Sequence, residues 1–145
     1  MKIKFVVMLA AILMSENVLA STKPQKSDYF ESVGGGFPLN GKELSMSLTV
    51  NTLKEIPVNS KLVVTFQNPK DKKSPLIKEY KVVKGQNTYN FKSDILECAD
   101  NGKTYKISVN VINIQSNIVL SKHNQKLKFN LPEFLVKDRD IKSCK

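Results

Sequence analysis

The chain has 145 residues, two cysteines and a formal net charge of +10. This length suits one domain with one hydrophobic core and excludes two full domains. Of the 23 basic residues only Arg139 is an arginine. Sequence-specific nucleic-acid recognition is therefore disfavoured, because it depends largely on bidentate arginine contacts.

The first twenty residues have the pattern of a secretory signal peptide. A basic start precedes an apolar run from Phe5 to Met14, and small residues precede a cleavage point at Ser21. The run is shorter than the roughly 20 residues that a membrane-spanning helix needs. We expect residues 1–20 to be removed, leaving a secreted or periplasmic chain of charge +9, because two lysines and one glutamate are lost with them. We expect no transmembrane segment in that mature chain.

Residues 21–42 contain two prolines and four glycines and show no sustained alternation of apolar and polar residues. This composition predicts a flexible leader or an irregular edge segment. The triple glycine at 34–36 is not a phosphate-binding loop, because no Lys-Ser or Lys-Thr follows it and no predicted strand precedes it.

Residues 43–145 predict an all-β domain of six or seven strands, since short apolar–polar alternations are separated by turn signals. The cleanest alternation is at 44–50, and the run 105–111, where four apolar residues share one face, is interpreted as the central strand. The predicted strands in chain order are 44–50, 62–66, 76–82, 89–91, 105–111, 118–120 and 127–131. Lys78 falls on the apolar face of the third strand, which indicates an edge position or a bulge. No strong helix is predicted after residue 20, and the tail 133–145 is apolar enough to pack against the domain.

Cys98 and Cys144 are the only cysteines. In an oxidising compartment an even pair favours a disulfide, which here would tether the tail to the segment before residue 105. A metal or redox pair is the alternative. It is disfavoured because the C-x-x-C spacing is missing and His123 is the only histidine.

The apolar pattern resembles the core of fibronectin type III and related immunoglobulin-like domains. It comprises Leu62-x-Val64-x-Phe66, Tyr80-x-Val82, Leu96, and Asn101-Gly102 ahead of Tyr105-x-Ile107-x-Val109-x-Val111. Phe66 stands where such domains often have a tryptophan, and Tyr105 stands where they have a tyrosine corner. The resemblance covers about residues 44–131 and implies a β-sandwich with a binding or structural role. The chain departs from the family in its very short segment between the third and fourth strands, and in a cysteine pair that would join a loop to the tail.

No pattern indicates an enzyme, a metal site or a cofactor. His123 lies in a polar stretch, 121–125, that predicts a surface loop, and no second histidine could complete a catalytic pair. Carboxylates close in sequence could act as acid and base or hold Ca²⁺, but they lack a calcium-loop spacing and are interpreted as solvated charge. They are Asp94, Glu97 and Asp100, and the pair Asp138 and Asp140 around Arg139.

Lysines recur on the outward positions of the predicted strands, and Lys106, Lys126 and Lys128 form a candidate anion-binding surface. Their charge either keeps the protein soluble or attracts a polyanion such as a glycan or lipid headgroups. The sequence predicts a non-catalytic binding module that engages a protein or an anionic glycan or lipid on an envelope or host surface. The alternatives are a structural subunit of a surface appendage and a secreted inhibitor or effector. An appendage subunit usually has an N-terminal arm of alternating apolar residues, which it donates as a strand to the neighbouring subunit. Residues 21–36 lack this alternation.

Overall fold

A computed structural model describes residues 23–145, so the predicted signal peptide at 1–20 lies outside the described residues. The described chain is all-β with one short helix, as expected from its alternating pattern. No helix in this part of the chain is long and apolar enough to cross a membrane. The elements are β1 (Phe30–Gly36), β2 (Leu39–Asn40), β3 (Glu43–Leu44), β4 (Ser47–Thr52), β5 (Ser60–Phe66), β6 (Leu76–Lys81), β7 (Thr88–Lys92), β8 (Thr104–Asn113), β9 (Val119–Lys128) and α1 (Glu133–Asp138).

Two antiparallel sheets contain seven of these strands. One has the order β1-β4-β7 and the other the order β6-β5-β8-β9. The short strands β2 and β3 form a separate two-stranded sheet. The predicted strand 44–50 is interrupted, because Leu44 ends β3 and β4 begins at Ser47. Strand β6 lies at an edge, as predicted from Lys78, whose Nζ lies 3.2 Å from Asp94 Oδ1.

The hydrophobic core lies between the two larger sheets, and β8 contributes every second residue to it. The predicted inward set is buried: Tyr105, Ile107, Val109 and Val111 of β8 with Leu48, Val64, Phe66 and Phe129. Aromatic side chains join the two layers, with the Tyr80 ring of β6 centred 4.9 Å from the Phe91 ring of β7. Apolar alternation therefore identified the buried faces of β4, β5, β7 and β8 correctly.

Strand β1 occupies part of the segment predicted to be a flexible leader or an irregular edge segment, 21–42. The flexible-leader prediction is wrong for residues 30–36, because they pair with β4 at the edge of the three-stranded sheet. Phe30 and Phe37 are fully buried. At Gly35 an added Cβ would lie 2.9 Å from Leu127 Cδ2 and 3.2 Å from the Ser47 carbonyl oxygen. Glycine is needed there because the sheets approach closely.

The predicted polar break at 121–125 is also wrong, because β9 runs unbroken from Val119 to Lys128. His123 and Gln125 point inward and are almost completely buried. A polar residue on an inward position hides the alternation that identifies a strand. The His123 side chain therefore belongs to a strand interior instead of a surface loop.

The C-terminal tail is attached to the segment between β7 and β8. The predicted disulfide is confirmed, with Cys98 bonded to Cys144 across a sequence separation of 46 residues. The Ala99 N–H also donates a hydrogen bond to the Lys142 carbonyl at 2.9 Å. The six-residue helix α1 in this tail was not predicted.

Replacing Val109 by Ala should destabilise the protein by more than about 1 kcal/mol, because it leaves a cavity in a close-packed core. Replacing the neighbouring Ser108 by Ala should be nearly neutral, since that side chain points outward and hydrogen-bonds only at the exposed surface. Urea unfolding of the two variants measures both costs. Equal losses of unfolding free energy would contradict the inward and outward assignment of β8.

Candidate functional site

The three lysines chosen from the sequence lie together on the outer face of the four-stranded sheet. Lys106 of β8 is directly opposite Lys126 of β9, and Lys128 is opposite Thr104. All three lysines are exposed. Lys122 lies on the same face of β9, about 13 Å from Lys126 at the rise of a strand. We call Lys106, Lys122, Lys126 and Lys128 the basic face.

Lys106 and Lys126 form a close pair of like charges. The Lys106 carbonyl accepts a hydrogen bond from the Gln67 N–H at 2.9 Å, and the Lys106 N–H donates to Gln67 Oε1 at 3.0 Å. The backbone groups of Lys106 therefore point away from β9. Its pair with Lys126 is of the non-hydrogen-bonded type, in which the Cα atoms lie only about 4.5 Å apart. Like charges in this position destabilise a sheet, and an anion bound over them would relieve the repulsion.

Three of the four lysines of the basic face have no acidic partner among the described residues. In the described part of the chain, Lys106, Lys122 and Lys128 form no salt bridge. Neutral side chains fill the space between them, where Ser108 Oγ donates a hydrogen bond to Asn124 Oδ1 at 2.6 Å. The face thus offers ammonium groups and neutral polar groups, a combination suited to sulfate, phosphate or carboxylate groups of an extended ligand.

The carboxylates considered from the sequence are dispersed over separate surface ion pairs. The pairs are Asp94 with Lys78, Glu97 with Lys70, Asp100 with Lys103, Asp138 with Arg139, and Asp140 with Lys42. No group of three or more metal-ligating side chains occurs within residues 23–145. These acidic residues therefore belong to separate ion pairs and are not gathered at one site.

Asp100 has a further role, because it fixes the C-terminal tail beside the disulfide. Its Oδ1 accepts hydrogen bonds from Ser143 Oγ at 2.7 Å and from the Cys144 N–H at 2.9 Å. Its Oδ2 lies 3.7 Å from Lys103 Nζ. These hydrogen bonds, with the smaller attraction of the lysine, hold the pKa of Asp100 below its usual value. The ionised carboxylate thus anchors the tail to the segment between β7 and β8.

His123 attaches the segment before β1 to the inner face of β9. Its Nε2 lies 2.8 Å from Ser32 Oγ and its Nδ1 lies 2.8 Å from Ser27 Oγ. A serine beside a histidine is the arrangement of a nucleophile and its base, but Ser32 is only 6% exposed and a second serine holds the other ring nitrogen. We interpret the contacts as structural. Burial lowers the pKa of His123, so the ring is favoured in its neutral form.

Gln125 extends this attachment towards the N-terminus. Its Oε1 accepts a hydrogen bond from the Gln25 N–H at 3.1 Å, and its Nε2 donates to the Lys23 carbonyl at 3.3 Å. Two inward polar residues of β9 therefore bind the N-terminal segment where an apolar strand would offer no polar partner.

Three loops meet at one end of the molecule, which we call the loop end: 53–59 after β4, 82–87 after β6 and 114–118 after β8. The strand registers place Ser60 opposite Asn113 and Lys61 opposite Lys81. The Ile114 N–H donates to the Asn59 carbonyl at 2.9 Å, which joins the first loop to the third. A groove of about 390 Å³ separates the first loop from the second. Lys126 and Lys128 lie at the opposite end of β9.

No protein-family model matches the chain, and a search of curated protein sequences finds no significant relative. The assignment of a function therefore rests on the chain's own residues.

Sequence reasoning missed Lys122 as a member of the basic face. The residue shares its alternating phase with Lys126 and Lys128, so the pattern was present in the sequence. It was overlooked because the inward neighbours His123 and Gln125 are polar and were interpreted as a loop. The direct opposition of Lys106 and Lys126 has no local signal, since it depends on the register between two strands.

Replacing Asp100 by Asn should destabilise the protein by about 1 to 2 kcal/mol near neutral pH, because charge-assisted hydrogen bonds to the tail are weakened. The pKa of Asp100 is lower in the folded chain than in the unfolded chain. The stabilisation by its carboxylate is therefore complete above the ordinary pKa of 3.8 and is lost as the pH falls below that value. The difference between wild type and variant, measured by urea unfolding, should shrink in that acidic range. Asp94→Asn is the control, since that carboxylate is 70% exposed and should matter little. A difference that is constant with pH would contradict this role.

Acid should destabilise the protein through His123 at a higher pH than through Asp100. The folded chain resists protonation of His123, so below the ordinary pKa of 6.5 the unfolded chain binds more protons and stability falls. His123→Gln, which keeps a donor and an acceptor, should flatten the decline between about pH 7 and about pH 5. Unfolding curves across that range measure the slope, and identical slopes for both proteins would show that His123 does not cause it.

Proposed function

We propose that the protein is an exported, non-catalytic binding module that engages an anionic partner on an envelope or host surface. The observation that carries the proposal is the basic face, in which Lys106 lies directly opposite Lys126 and two further lysines follow the same strand. Exposed lysines that lie opposite each other across two strands are suited to an external anion.

We further propose that the fold is an immunoglobulin-like sandwich of the fibronectin type III kind. In the lettering used for such domains, the sheet β1-β4-β7 corresponds to strands A-B-E. The sheet β6-β5-β8-β9 corresponds to strands C′-C-F-G. Immunoglobulin-like domains divide their strands between two sheets in the same way. Strands β2 and β3 would then be an addition between A and B.

Tyr105 gives separate support to this fold assignment. It lies near the start of β8, the strand lettered F, and its hydroxyl accepts a hydrogen bond from the Asp100 N–H at 3.0 Å. A tyrosine corner makes the same kind of bond from the start of strand F to the backbone a few residues upstream. The phenol thereby fixes the turn that leads into β8.

The disulfide supports the proposed export. Disulfides form and persist mainly in secreted or periplasmic proteins, because cytosolic reductants keep thiols reduced. The Cys98–Cys144 bond closes a loop across 46 positions of sequence. In the chain-entropy account, whose mechanism is debated, such a cross-link stabilises a protein by at most about 4 kcal/mol. Outside the cell this stabilisation would protect a small binding domain.

Binding through the basic face would be electrostatic. Lysine ammonium groups act as point charges with three donors each, so they suit a flexible polyanion better than a planar group that needs a bidentate grip. Exposed charges are screened beyond about 8 Å at physiological ionic strength, so the attraction should depend strongly on salt.

Heparin, a sulfated glycan, is a suitable probe. Affinity should fall steeply as salt rises, and Lys126→Gln with Lys128→Gln should weaken binding by about tenfold or more at low salt, as the loss of two charge contacts implies. The control is Lys72→Gln with Lys73→Gln, which removes the same charge from the loop between β5 and β6. Calorimetric titration of the folded variants measures the dissociation constants. If both double variants weakened heparin binding equally, or if the affinity did not depend on salt, the lysines would serve solubility instead of binding a specific anion.

A further inference from the structure

Aliphatic side chains project from all three loops of the loop end. They share an exposed fraction between 46% and 62%, although side chains of this type are usually buried. We call them the aliphatic tips: Leu53 and Val58 in the first loop, Val83 in the second, and Ile114 and Ile118 in the third. Exposed apolar groups gathered from separate loops mark an interaction surface more strongly than single exposed residues do.

The aliphatic tips are neighbours in space. Leu53 and Val83 line the same groove, and Val58 lines an adjacent hollow with Lys84. Ile114 is joined to the first loop by its bond to the Asn59 carbonyl. The tips therefore form one surface.

Backbone hydrogen bonds hold the loops that carry these side chains. The Leu53 N–H donates to the Tyr29 carbonyl at 2.7 Å, and the Asn113 N–H donates to the Ile118 carbonyl at 2.9 Å. The exposed positions of the tips are thus fixed by the fold, and a ligand would find the surface already formed.

Lysines surround the tips. Lys54 and Lys84 belong to the first two loops, and Lys81 is the last residue of β6. Glu55 is the only acidic residue within the three loops. Lys54 Nζ lies 4.6 Å from the centre of the Tyr29 ring, which keeps its charge at the base of the first loop. The loop end therefore combines hydrocarbon tips with a positive surround.

This combination favours a lipid bilayer over a protein. The centres of protein interfaces are enriched in aromatic residues, methionine and arginine and depleted of lysine, whereas the loop end has aliphatic tips and lysines. A second copy of the chain would bring the same positive charge. At an anionic bilayer, hydrocarbon accepts aliphatic side chains while headgroup phosphates attract lysines.

We propose that the loop end docks on an anionic lipid bilayer, with the aliphatic tips inserted among the acyl chains and the surrounding lysines at the phosphates. This surface shares no residue with the basic face, and Lys126 and Lys128 of that face lie more than about 20 Å further along β9. The inference therefore goes beyond the proposed function and stands or falls separately from it.

Vesicle sedimentation tests the docking. The full chain should bind vesicles of phosphatidylglycerol and phosphatidylcholine and bind pure phosphatidylcholine much less. Val58→Ser with Ile118→Ser should lower the partition coefficient by about tenfold or more, since each buried aliphatic side chain contributes substantially. Ile77→Ser is the matched control, because Ile77 is 58% exposed, close to Val58 and Ile118, but lies at the far end of β6.

Tryptophan fluorescence tests the insertion directly, because the sequence contains no tryptophan. In the Val58→Trp variant, anionic vesicles should shift the emission to the blue, and lipids brominated in their acyl chains should quench it. In the Ile77→Trp variant, the emission should stay unchanged under the same conditions.

The inference would be overturned by no binding to anionic vesicles, by full binding of the Val58→Ser, Ile118→Ser protein, or by no blue shift from Val58→Trp on bound vesicles. Loss of vesicle binding only in the Lys126→Gln, Lys128→Gln protein would also overturn it and would assign the lipid to the basic face. Heparin binding that survives in the loop-end variants would show that the two surfaces act separately.

Discussion

The register of β8 between β5 and β9 is the constraint on which the rest of the structure depends. Side chains alternate along the strand, so one pairing buries Ile107 and Val109 and turns Lys106 outward. A shift of one residue would bury the lysine and expose the core. The same pairing sets Lys106 opposite Lys126. The register of β8 therefore determines both which side chains form the core and which lysines form the basic face. A change of register would alter both.

Both terminal segments of the described chain are attached to this framework by polar groups. His123 holds the segment before β1, and Asp100 holds the tail beside the disulfide. Apolar contacts are non-directional, whereas a buried hydrogen bond is costly when its partner is displaced. Each attachment therefore fixes one position of the segment against its sheet. The price of this arrangement is that both attachments depend on a particular charge state of one side chain.

The sequence predicted those parts of the fold whose signal is local. Strands β5 and β8 alternate visibly, and the disulfide was predicted from an even cysteine count together with the expected export. Strand β1 was not predicted because its glycines interrupt the apolar–polar alternation. Gly35 is required by the close approach of Leu127, which is distant in sequence and gives no local signal. Within β9, His123 was misplaced because its serine partners lie in the N-terminal segment. The candidate lysines could be chosen from alternation, but their opposition across two strands and the meeting of three loops require the tertiary register.

Two surfaces of this protein carry features that folding alone disfavours. Opposed lysines repel each other within the sheet, and exposed aliphatic side chains order water around them. Different ligands would relieve these costs, a fixed anion in the first case and hydrocarbon in the second. The loop end adjoins the start of β9, whereas Lys126 and Lys128 of the basic face lie near the end of that strand. Docking of the loop end on a bilayer would therefore leave Lys126 and Lys128 in water, more than about 20 Å from the loops and well beyond the screening length of the lipid charge. The basic face would then remain open to a second anionic partner.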